Sequence, residues 1–412
     1  MVDKSAFRIL VLDDEPFMLK LLSHVLINLG FSQVTTCDNG HKALEWIDSP
    51  HTPPDLILLD LNMPEMDGVE FVRHLVERRY AGSILLISGE EERMLQTAER
   101  LVRAHNISTL GHLNKPVLPA ELSALLEKWT PPSLGNPRAA KKVYNADEVR
   151  AAILNGELVN FYQPKVDMAS GKVVGVESLV RWRHPEDGLV FPDQFISVAE
   201  EHGLIDDLTR FVIGEAFAQL RAWQEHGLQL RMALNISMDN LATLEFADYV
   251  TAAAASAGIK PDDVVLEVTE SKLMKDLSAA LEILTRLRLK RFSLSIDDFG
   301  TGHSSLTQLR DIPFDELKVD QGFVHGAASD NTLRAIYGAS LSLAKLLGMK
   351  TVAEGAEDQA DWEFLRSTGC HSVQGFFIAK PMPAGEIPGW VALWETRAEG
   401  LMESRTEDNL PG

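Results

Sequence analysis

The chain has 412 residues, which indicates two or three domains, and its 45% apolar and 24% charged residues are typical of a globular protein. Its 39 Lys and Arg against 60 Asp and Glu give a net charge of −21, whereas DNA-binding proteins need a basic face. No apolar run reaches the roughly 18–20 residues that span a bilayer, and the first residues lack a signal-peptide pattern. We therefore expect a cytoplasmic protein with no membrane span and no DNA partner.

Residues 1–129 alternate short apolar runs with helical patterns. Continuous apolar runs occur at 7–12, 55–59 and 83–87, and apolar residues at helical spacing occupy 19–29. Buried strands separated by helices are typical of a parallel sheet that is covered on both faces. This segment is therefore predicted to be a doubly wound parallel-sheet domain.

Polar residues follow the predicted strands of this first domain. Asp13 and Asp14 follow the first run, Asp60 and Ser88 follow the next two, and Lys115 follows the segment 111–114. Ligands of such sheets bind beyond the carboxyl ends of the strands, so these five side chains are candidates for one site.

A proline-rich stretch separates this domain from the rest. Residues 130–137 contain three prolines and one glycine, and we interpret 130–145 as a linker. Residues 146–400 have the length of about 250 that is usual for a (β/α)₈ barrel, and 401–412 would form a tail. Eight strand-like runs lie in this block, at 159–162, 173–176, 232–234, 264–266, 292–296, 314–317, 350–353 and 372–373. Only a tight turn fits between the first two runs, so the first strand is predicted to be antiparallel to the others.

A polar residue lies at or just after every one of these runs. They are Gln163, Glu177, Asn235, Glu267, Asp297, Lys318, Glu354 and Gln374, with Asp298 and Glu270 close by. So many carboxylates need a cation, and an oxygen-only ligand set favours Mg²⁺ or Mn²⁺. The adjacent pair Asp297 and Asp298 could bridge two ions about 3.5–4 Å apart. Any single residue could instead cap the next helix, although eight such coincidences in order are harder to explain.

The polar residues of the barrel block belong to short motifs, which are, in chain order, Glu177-Ser178-Leu179 with Arg181-Trp182, Asn235-Ile236-Ser237, Glu267-Val268-Thr269-Glu270, Asp297-Asp298-Phe299-Gly300-Thr301-Gly302, Lys318-Val319-Asp320, Glu354-Gly355 and Gln374-Gly375. Together these motifs resemble the EAL family of cyclic-di-GMP phosphodiesterases. The resemblance implies hydrolysis of one phosphodiester of cyclic-di-GMP to linear pGpG, with two Mg²⁺ or Mn²⁺ ions.

The resemblance also implies residue roles. Metal ligands would be Glu177, Asn235, Glu267, Asp297, Asp298 and Glu354. Glu354 would act as general base or second-metal partner, and Lys318 would orient the attacking water. Substrate contacts would come from Gln163, Arg181, Gln374 and Asp320, and loop roles from Glu270, Gly300, Gly302 and Ser304.

Three positions depart from the EAL pattern. Ser178 replaces the alanine of the EAL motif and, by strand alternation, is predicted to face the helix layer. His303 replaces an aromatic residue in the loop after Gly302, and the run Glu354-Gly355-Ala356-Glu357-Asp358 differs slightly from the usual one after the glutamate, although Glu354 itself is present.

In the first domain, Asp13-Asp14, Asp60-Leu61-Asn62-Met63-Pro64, Ser88 and Lys115 together resemble a response-regulator receiver domain. His112 replaces the aromatic residue often found three positions before the lysine. The resemblance implies that a sensor histidine kinase phosphorylates Asp60. It also implies that Asp13, Asp14, Asp60 and the carbonyl of Asn62 hold one Mg²⁺, and that Ser88 and Lys115 contact the phosphoryl oxygens. A carboxylate can accept a phosphoryl group when nearby cations neutralise the incoming charge.

Together these features predict a phosphorylation-regulated cyclic-di-GMP phosphodiesterase that forms a homodimer or higher oligomer. The alternative is a non-catalytic cyclic-di-GMP receptor or protein-interaction module under receiver control. We favour the enzyme because all the metal carboxylates are present. A transcription-type regulator is disfavoured because no basic helix-turn-helix segment follows the receiver.

Overall fold

The structure is a computed structural model that describes residues 4, 7–49, 53–78, 80–105, 107–129, 142, 144–269, 277–300 and 306–403. The chain divides into two compact units, Met1–Lys142 and Val143–Gly412, and each is described by itself. The sequence-predicted loop residues Glu270, Gly302, His303 and Ser304 lie outside the described residues.

A parallel sheet with helices forms the first unit. Its strands are β1 (Arg8–Leu12), β2 (Gln33–Cys37), β3 (Leu56–Asp60), β4 (Ser83–Ser88) and β5 (Ser108–Asn114). Its helices are α1 (Pro16–Asn28), α2 (Gly40–Asp48), α3 (Gly68–Glu77), α4 (Glu92–Ala104) and α5 (Pro119–Lys128). The strand order is β2-β1-β3-β4-β5, and every pair is parallel. Leu10 and Leu12 belong to one core and Ile9 and Val11 to another, because successive side chains of a strand point to opposite faces. The predicted fold of this unit is confirmed.

The apolar pattern does not mark strand β2. Its residues Gln33 and Thr36 are exposed and the rest are half-buried, because β2 lies at the edge of the sheet and pairs only with β1 among the described strands. An edge strand that is open to solvent needs no continuous apolar run.

A closed barrel forms the second unit. Its strands are β6 (Leu158–Asp167), β7 (Val173–His184), β8 (Gly188–Val190), β9 (Arg231–Ile236), β10 (Val264–Thr269), β11 (Ser293–Phe299), β12 (Glu316–Val319), β13 (Lys350–Glu354), β14 (Ser372–Gln374) and β15 (Met382–Pro383). The ring runs β6-β14-β13-β12-β11-β10-β9-β7 and closes through the β6–β7 pairing. Strand β6 is antiparallel to both neighbours, whereas the other ring pairs are parallel, as predicted.

Helices surround this ring and complete the core. They are α6 (Ala146–Leu154), α7 (Ile196–Glu201), α8 (Ile205–Glu225), α9 (Phe246–Ala257), α10 (Leu277–Leu289), α11 (Leu306–Asp311), α12 (Gln321–Val324), α13 (Asn331–Leu346), α14 (Gln359–Thr368) and α15 (Ile387–Glu403). One continuous apolar core joins the outer faces of the strands to these helices. None of the helices in the described part of the chain is both long and apolar enough to cross a bilayer.

The β6–β7 hairpin is longer than the sequence pattern indicates. The apolar pattern marks only 159–162 and 173–176, but β7 continues to His184 and pairs beyond the barrel with β8. Gln163 and Glu177 therefore lie in the middle of their strands, directly opposite each other in the register. This places both side chains inside the barrel, because they belong to the inward-facing set.

Candidate active site

A cavity of about 260 Å³ opens at the carboxyl ends of the barrel strands. This is the end at which barrel enzymes build their active sites. It is lined by Gln163, Glu177, Leu179, Asp297, Asp298, Lys318, Asp320, Gln321, Glu354, Gly355, Glu357, Gln374, Gly375 and Phe376. The structure thus brings most of the predicted polar residues to one cavity, although they come from separate strands.

Lys318 lies at the centre of the carboxylate cluster. Its Nζ is 2.7 Å from both Glu267 and Glu354, 3.0 Å from Asp297 and 3.6 Å from Glu177. The side chain is buried, which opposes its charge, but the surrounding carboxylates outweigh burial and hold the pKa of Lys318 well above its usual value. This ammonium is therefore a permanent cation of the site.

Glu177 is held by two side-chain amides. Asn235 Nδ2 and Gln374 Nε2 donate to its two carboxylate oxygens at 2.7 Å each. Gln374 also donates to Gln163 at 3.0 Å. Burial opposes ionisation of Glu177, but Lys318 and these amides outweigh it, and the pKa of Glu177 lies below its usual value. Glu177 is therefore a fixed and ionised oxygen donor.

Asp297, Asp298 and Glu354 form a second carboxylate group. Each offers an oxygen within 4.8 Å of the others, which is compact enough to hold a cation. Burial and the neighbouring Asp297 raise the pKa of Asp298 to about 6, and burial raises that of Glu354 well above its usual value despite Lys318. Asp298 also adopts a left-handed backbone conformation (φ 56°), which is uncommon for a residue other than glycine and clusters at functional sites.

A second buried lysine lies beneath this group, and the sequence analysis missed it. Lys165 Nζ is 3.3 Å from Glu267 and 3.0 Å from Glu316, and Ser295 Oγ donates to Glu316 at 3.3 Å. Burial raises the pKa of Glu267 to about 7 against the effect of Lys318. Lys165, Ser295 and Glu316 each lie two residues from a predicted site residue, so the strand period of two could have found them.

One of the four predicted substrate contacts, Arg181, lies outside the cavity lining. Arg181 is buried, donates to the Val180 carbonyl at 2.8 Å and is not among the described residues that line the cavity. Its guanidinium lies 5.0 Å from the centre of the Phe191 ring. Asp320 does line the cavity, and its carboxylate also caps α12 by accepting the N–H of Gly322.

Gly300 directly follows strand β11, which carries Asp297 and Asp298, and adopts a backbone conformation that glycine favours. Its φ is +99°, and a β-carbon there would lie 2.8 Å from the Phe323 ring. A side chain at this position would therefore be strained both by the backbone conformation and by the ring.

The receiver-like unit brings its predicted residues together as well. Asp13, Asp14 and Asp60 offer oxygens within 4.8 Å of one another at the carboxyl ends of β1 and β3. Lys115 Nζ is 2.7 Å from Asp60 and 3.0 Å from Asp13, and these carboxylates outweigh its partial burial and raise its pKa. Burial raises the pKa of Asp13. This edge of the sheet can hold a cation beside Asp60.

The remaining receiver residues have local partners. The N–H of Asn62 donates to Asp60 at 3.2 Å, and the N–H of Glu90 donates to the Ser88 hydroxyl at 3.2 Å. His112 Nδ1 lies 2.8 Å from Glu99 of α4, so this histidine is tied to the neighbouring helix.

A third acidic group has a structural explanation. His325, Asp358 and Asp361 have ligand atoms within 4.8 Å. Asp361 accepts the N–H groups of Gly326 and Glu357 at 3.1 and 3.0 Å, and His325 Nδ1 lies 2.8 Å from it. Asp358 caps α14. These contacts connect the start of α14 to the segment after α12.

Comparison with known proteins matches each unit to a family. A family model described as EAL domain matches residues 146–381, and one described as Response regulator receiver domain matches residues 9–127. The chain is 31% identical to the cyclic di-GMP phosphodiesterase RocR of Pseudomonas aeruginosa over 379 residues, which cover 91% of this chain and 96% of RocR.

Further relatives share the second unit. The chain is 41% identical over 258 residues to the bifunctional diguanylate cyclase/cyclic di-GMP phosphodiesterase MucR of Pseudomonas aeruginosa, covering 62% of this chain and 38% of MucR. The solved PaMucR phosphodiesterase in complex with c-di-GMP aligns with 42% identity and a TM-score of 0.56, over 58% of this chain and 98% of that chain. The chain spans nearly all of RocR and less than half of MucR. It therefore belongs to the EAL family, with a receiver domain preceding the EAL domain.

Proposed function

We propose that this protein hydrolyses one phosphodiester of cyclic-di-GMP to linear pGpG, and that phosphorylation of Asp60 regulates the reaction. RocR, which the chain matches along nearly its whole length, is named as a cyclic di-GMP phosphodiesterase. The single observation that carries the proposal is the carboxylate cluster around Lys318 in the cavity at the carboxyl ends of the strands.

The donor set fits two divalent cations. When all five buried or half-buried carboxylates are ionised, they and the one ammonium carry four negative charges, which two Mg²⁺ or Mn²⁺ ions would balance. The carboxylates are Glu177, Glu267, Asp297, Asp298 and Glu354, and the amide oxygen of Asn235 adds a sixth oxygen donor. When bound, such ions supply Lewis acidity to the phosphodiester and to the attacking water.

The side chains of the site then have distinct roles. Glu354 accepts a proton from the attacking water, because its burial raises its basicity and it lies on the cavity wall. Lys318, which is 2.7 Å from Glu354, orients that water and opposes the charge that develops on the phosphoryl oxygens. Gln163, Gln374 and Asp320, which line the cavity, contact the substrate in this proposal, whereas Arg181 would have to leave the Val180 carbonyl to reach it.

The proposal predicts a strict dependence on divalent cations. We expect the purified full chain to convert cyclic-di-GMP to pGpG with Mg²⁺ or Mn²⁺, and to lose all turnover in excess EDTA. Chromatographic separation of pGpG from cyclic-di-GMP measures both results. Binding of cyclic-di-GMP without formation of pGpG would instead indicate a non-catalytic receptor, and turnover that survives EDTA would contradict the metal assignment.

Phosphorylation at Asp60 is the regulatory part of the proposal. Its carboxylate lies 2.7 Å from Lys115 and beside two other carboxylates that can share one Mg²⁺, which is the environment an aspartyl phosphate needs. The same proposal includes a sensor histidine kinase as the phosphodonor and self-association of the chain. It also includes the domain boundaries 1–129, 130–145, 146–400 and 401–412.

Asp60→Asn is expected to abolish phosphorylation. Incubation with acetyl phosphate and Mg²⁺ should add one phosphoryl group to the wild type and none to this variant, as measured by intact mass. Asp67→Asn is the matched control, because Asp67 caps α3 nearby and asparagine caps a helix equally well. A phosphoryl group on Asp60→Asn would place the acceptor elsewhere.

A further inference from the structure

The interior of the barrel below the candidate active site is polar. In barrels of this kind the inner layers are filled mainly by branched apolar side chains. Here Lys165 of β6, Ser295 of β11 and Glu316 of β12 lie in the layer below the carboxylate cluster, and all three are buried. Burying a lysine and a glutamate costs free energy that their mutual attraction does not reliably recover. A buried pair of this kind is therefore weak evidence for a contribution to stability alone.

Lys165 contacts Glu267, one of the carboxylates of the cluster around Lys318. Its Nζ is 3.3 Å from Glu267 Oε1, while Lys318 Nζ is 2.7 Å from the other oxygen, Glu267 Oε2. Each oxygen of Glu267 is thus held by a different lysine. Glu316 in turn fixes Lys165 at 3.0 Å and accepts the hydroxyl of Ser295 at 3.3 Å. A chain of contacts therefore runs from Ser295 of β11 and Glu316 of β12 through Lys165 to Glu267.

The charges of this pair cancel. Lys165 and Glu316 add no net charge to the site, so they do not change the number of cations that it can balance. Their contribution is geometric, because Lys165 holds the Glu267 oxygen that Lys318 does not contact. Side chains that orient metal ligands in this way typically change metal affinity by about 10- to 100-fold when they are removed.

We infer that Lys165 is a positioning residue that, held by Glu316 and Ser295, orients Glu267 for divalent-cation binding. The inference uses the proposed function only in assuming that the cluster binds divalent cations. It adds a second layer to the site, beneath the side chains that face the cavity.

The test is the charge-neutral double variant Lys165→Met/Glu316→Gln in the full chain. Mn²⁺ binding is measured by electron paramagnetic resonance, and unfolding is followed in EDTA. We expect Mn²⁺ affinity to fall by about 10- to 100-fold. Turnover at low Mn²⁺ should fall with it and recover at saturating Mn²⁺, while KM for cyclic-di-GMP stays unchanged. A purely structural role would lower the unfolding midpoint without this metal-dependent recovery.

The control removes an equivalent charge pair elsewhere in the barrel unit. Arg286→Met/Asp248→Asn breaks a partly exposed 2.8 Å ion pair between α10 and α9 and is expected to leave Mn²⁺ affinity unchanged. Unchanged affinity in the Lys165→Met/Glu316→Gln variant would overturn the inference.

A second variant covers the case in which the double variant does not fold. Ser295→Ala removes one hydroxyl without changing the charge, and its expected effect is a fall in Mn²⁺ affinity of about 2- to 10-fold, the value of one hydrogen bond. Affinity equal to wild type in Ser295→Ala would also overturn the inference. Wild-type protein that binds Mn²⁺ but forms no pGpG would refute the proposed hydrolysis alone.

Discussion

Replacing Glu177 by alanine is expected to lower the turnover of cyclic-di-GMP at least about 1,000-fold, or about 4 kcal/mol of transition-state stabilisation. Glu177 is the ionised carboxylate whose two oxygens accept hydrogen bonds from the side-chain amides of Asn235 and Gln374. The substitution removes a proposed cation ligand and leaves both amides without that acceptor. Asp297→Ala is expected to behave in the same way. The measurement is steady-state formation of pGpG at saturating Mn²⁺.

The neighbouring residue supplies a matched control. Ser178 is buried on the opposite face of β7, and its hydroxyl has no hydrogen-bond partner among the described residues. Ser178→Ala is therefore expected to keep full turnover and stability, because it removes an unsatisfied polar atom. Glu177→Ala protein with native circular dichroism and near wild-type turnover would contradict the assignment of Glu177.

Lys318→Met is expected to be the most destabilising single substitution in the site when divalent cations are absent. Four carboxylates lie within 4 Å of its ammonium, so removing it leaves buried like charges without their common partner. Breaking a buried pair by removing one member costs about 3–5 kcal/mol. The unfolding midpoint of the EAL domain in EDTA should therefore fall by about 6–20 °C.

Added Mn²⁺ should restore part of this loss, since divalent cations can replace the missing positive charge. Turnover should stay at least about 100-fold below wild type even then, because the group that orients the attacking water is gone. Scanning calorimetry with and without Mn²⁺ measures the first effect and pGpG formation the second. Lys345→Met, an exposed substitution on α13, is the control. An unchanged midpoint for Lys318→Met in EDTA would show that the carboxylates do not depend on this ammonium.

The two sites differ in the cation that neutralises each acidic group. In the receiver domain, Lys115 reaches Asp60 and Asp13 from the strand end of β5. In the EAL domain, Lys318 is buried among four carboxylates and also borders the cavity. In the receiver domain Lys115 keeps some exposure while Asp60 beside it is buried, whereas Lys318 is buried together with carboxylates that are themselves buried or half-buried. Under the proposed function, the first arrangement would serve an aspartyl phosphate and the second would serve divalent cations that assist phosphodiester hydrolysis.

The sequence determined the architecture because strand and helix patterns are local. Apolar runs that end in Asp60 or Ser88 predict a parallel sheet, and polar residues after eight runs predict a barrel with one functional end. The apolar pattern did not predict strand β2, because this strand lies at the edge of the sheet, where contact with solvent makes a continuous apolar run unnecessary. The antiparallel β6 followed from a turn too short for a crossover helix.

Only the tertiary structure decided which of these side chains touch. Lys165 and Glu316 are 151 positions apart, and no local pattern pairs them; the closure of the barrel brings them within 3.0 Å. The position of Arg181 outside the cavity lining and the left-handed backbone of Asp298 likewise depend on packing around them. Periodicity fixes the face on which a residue lies, whereas its distance to a residue on another strand depends on how the sheet curves and closes.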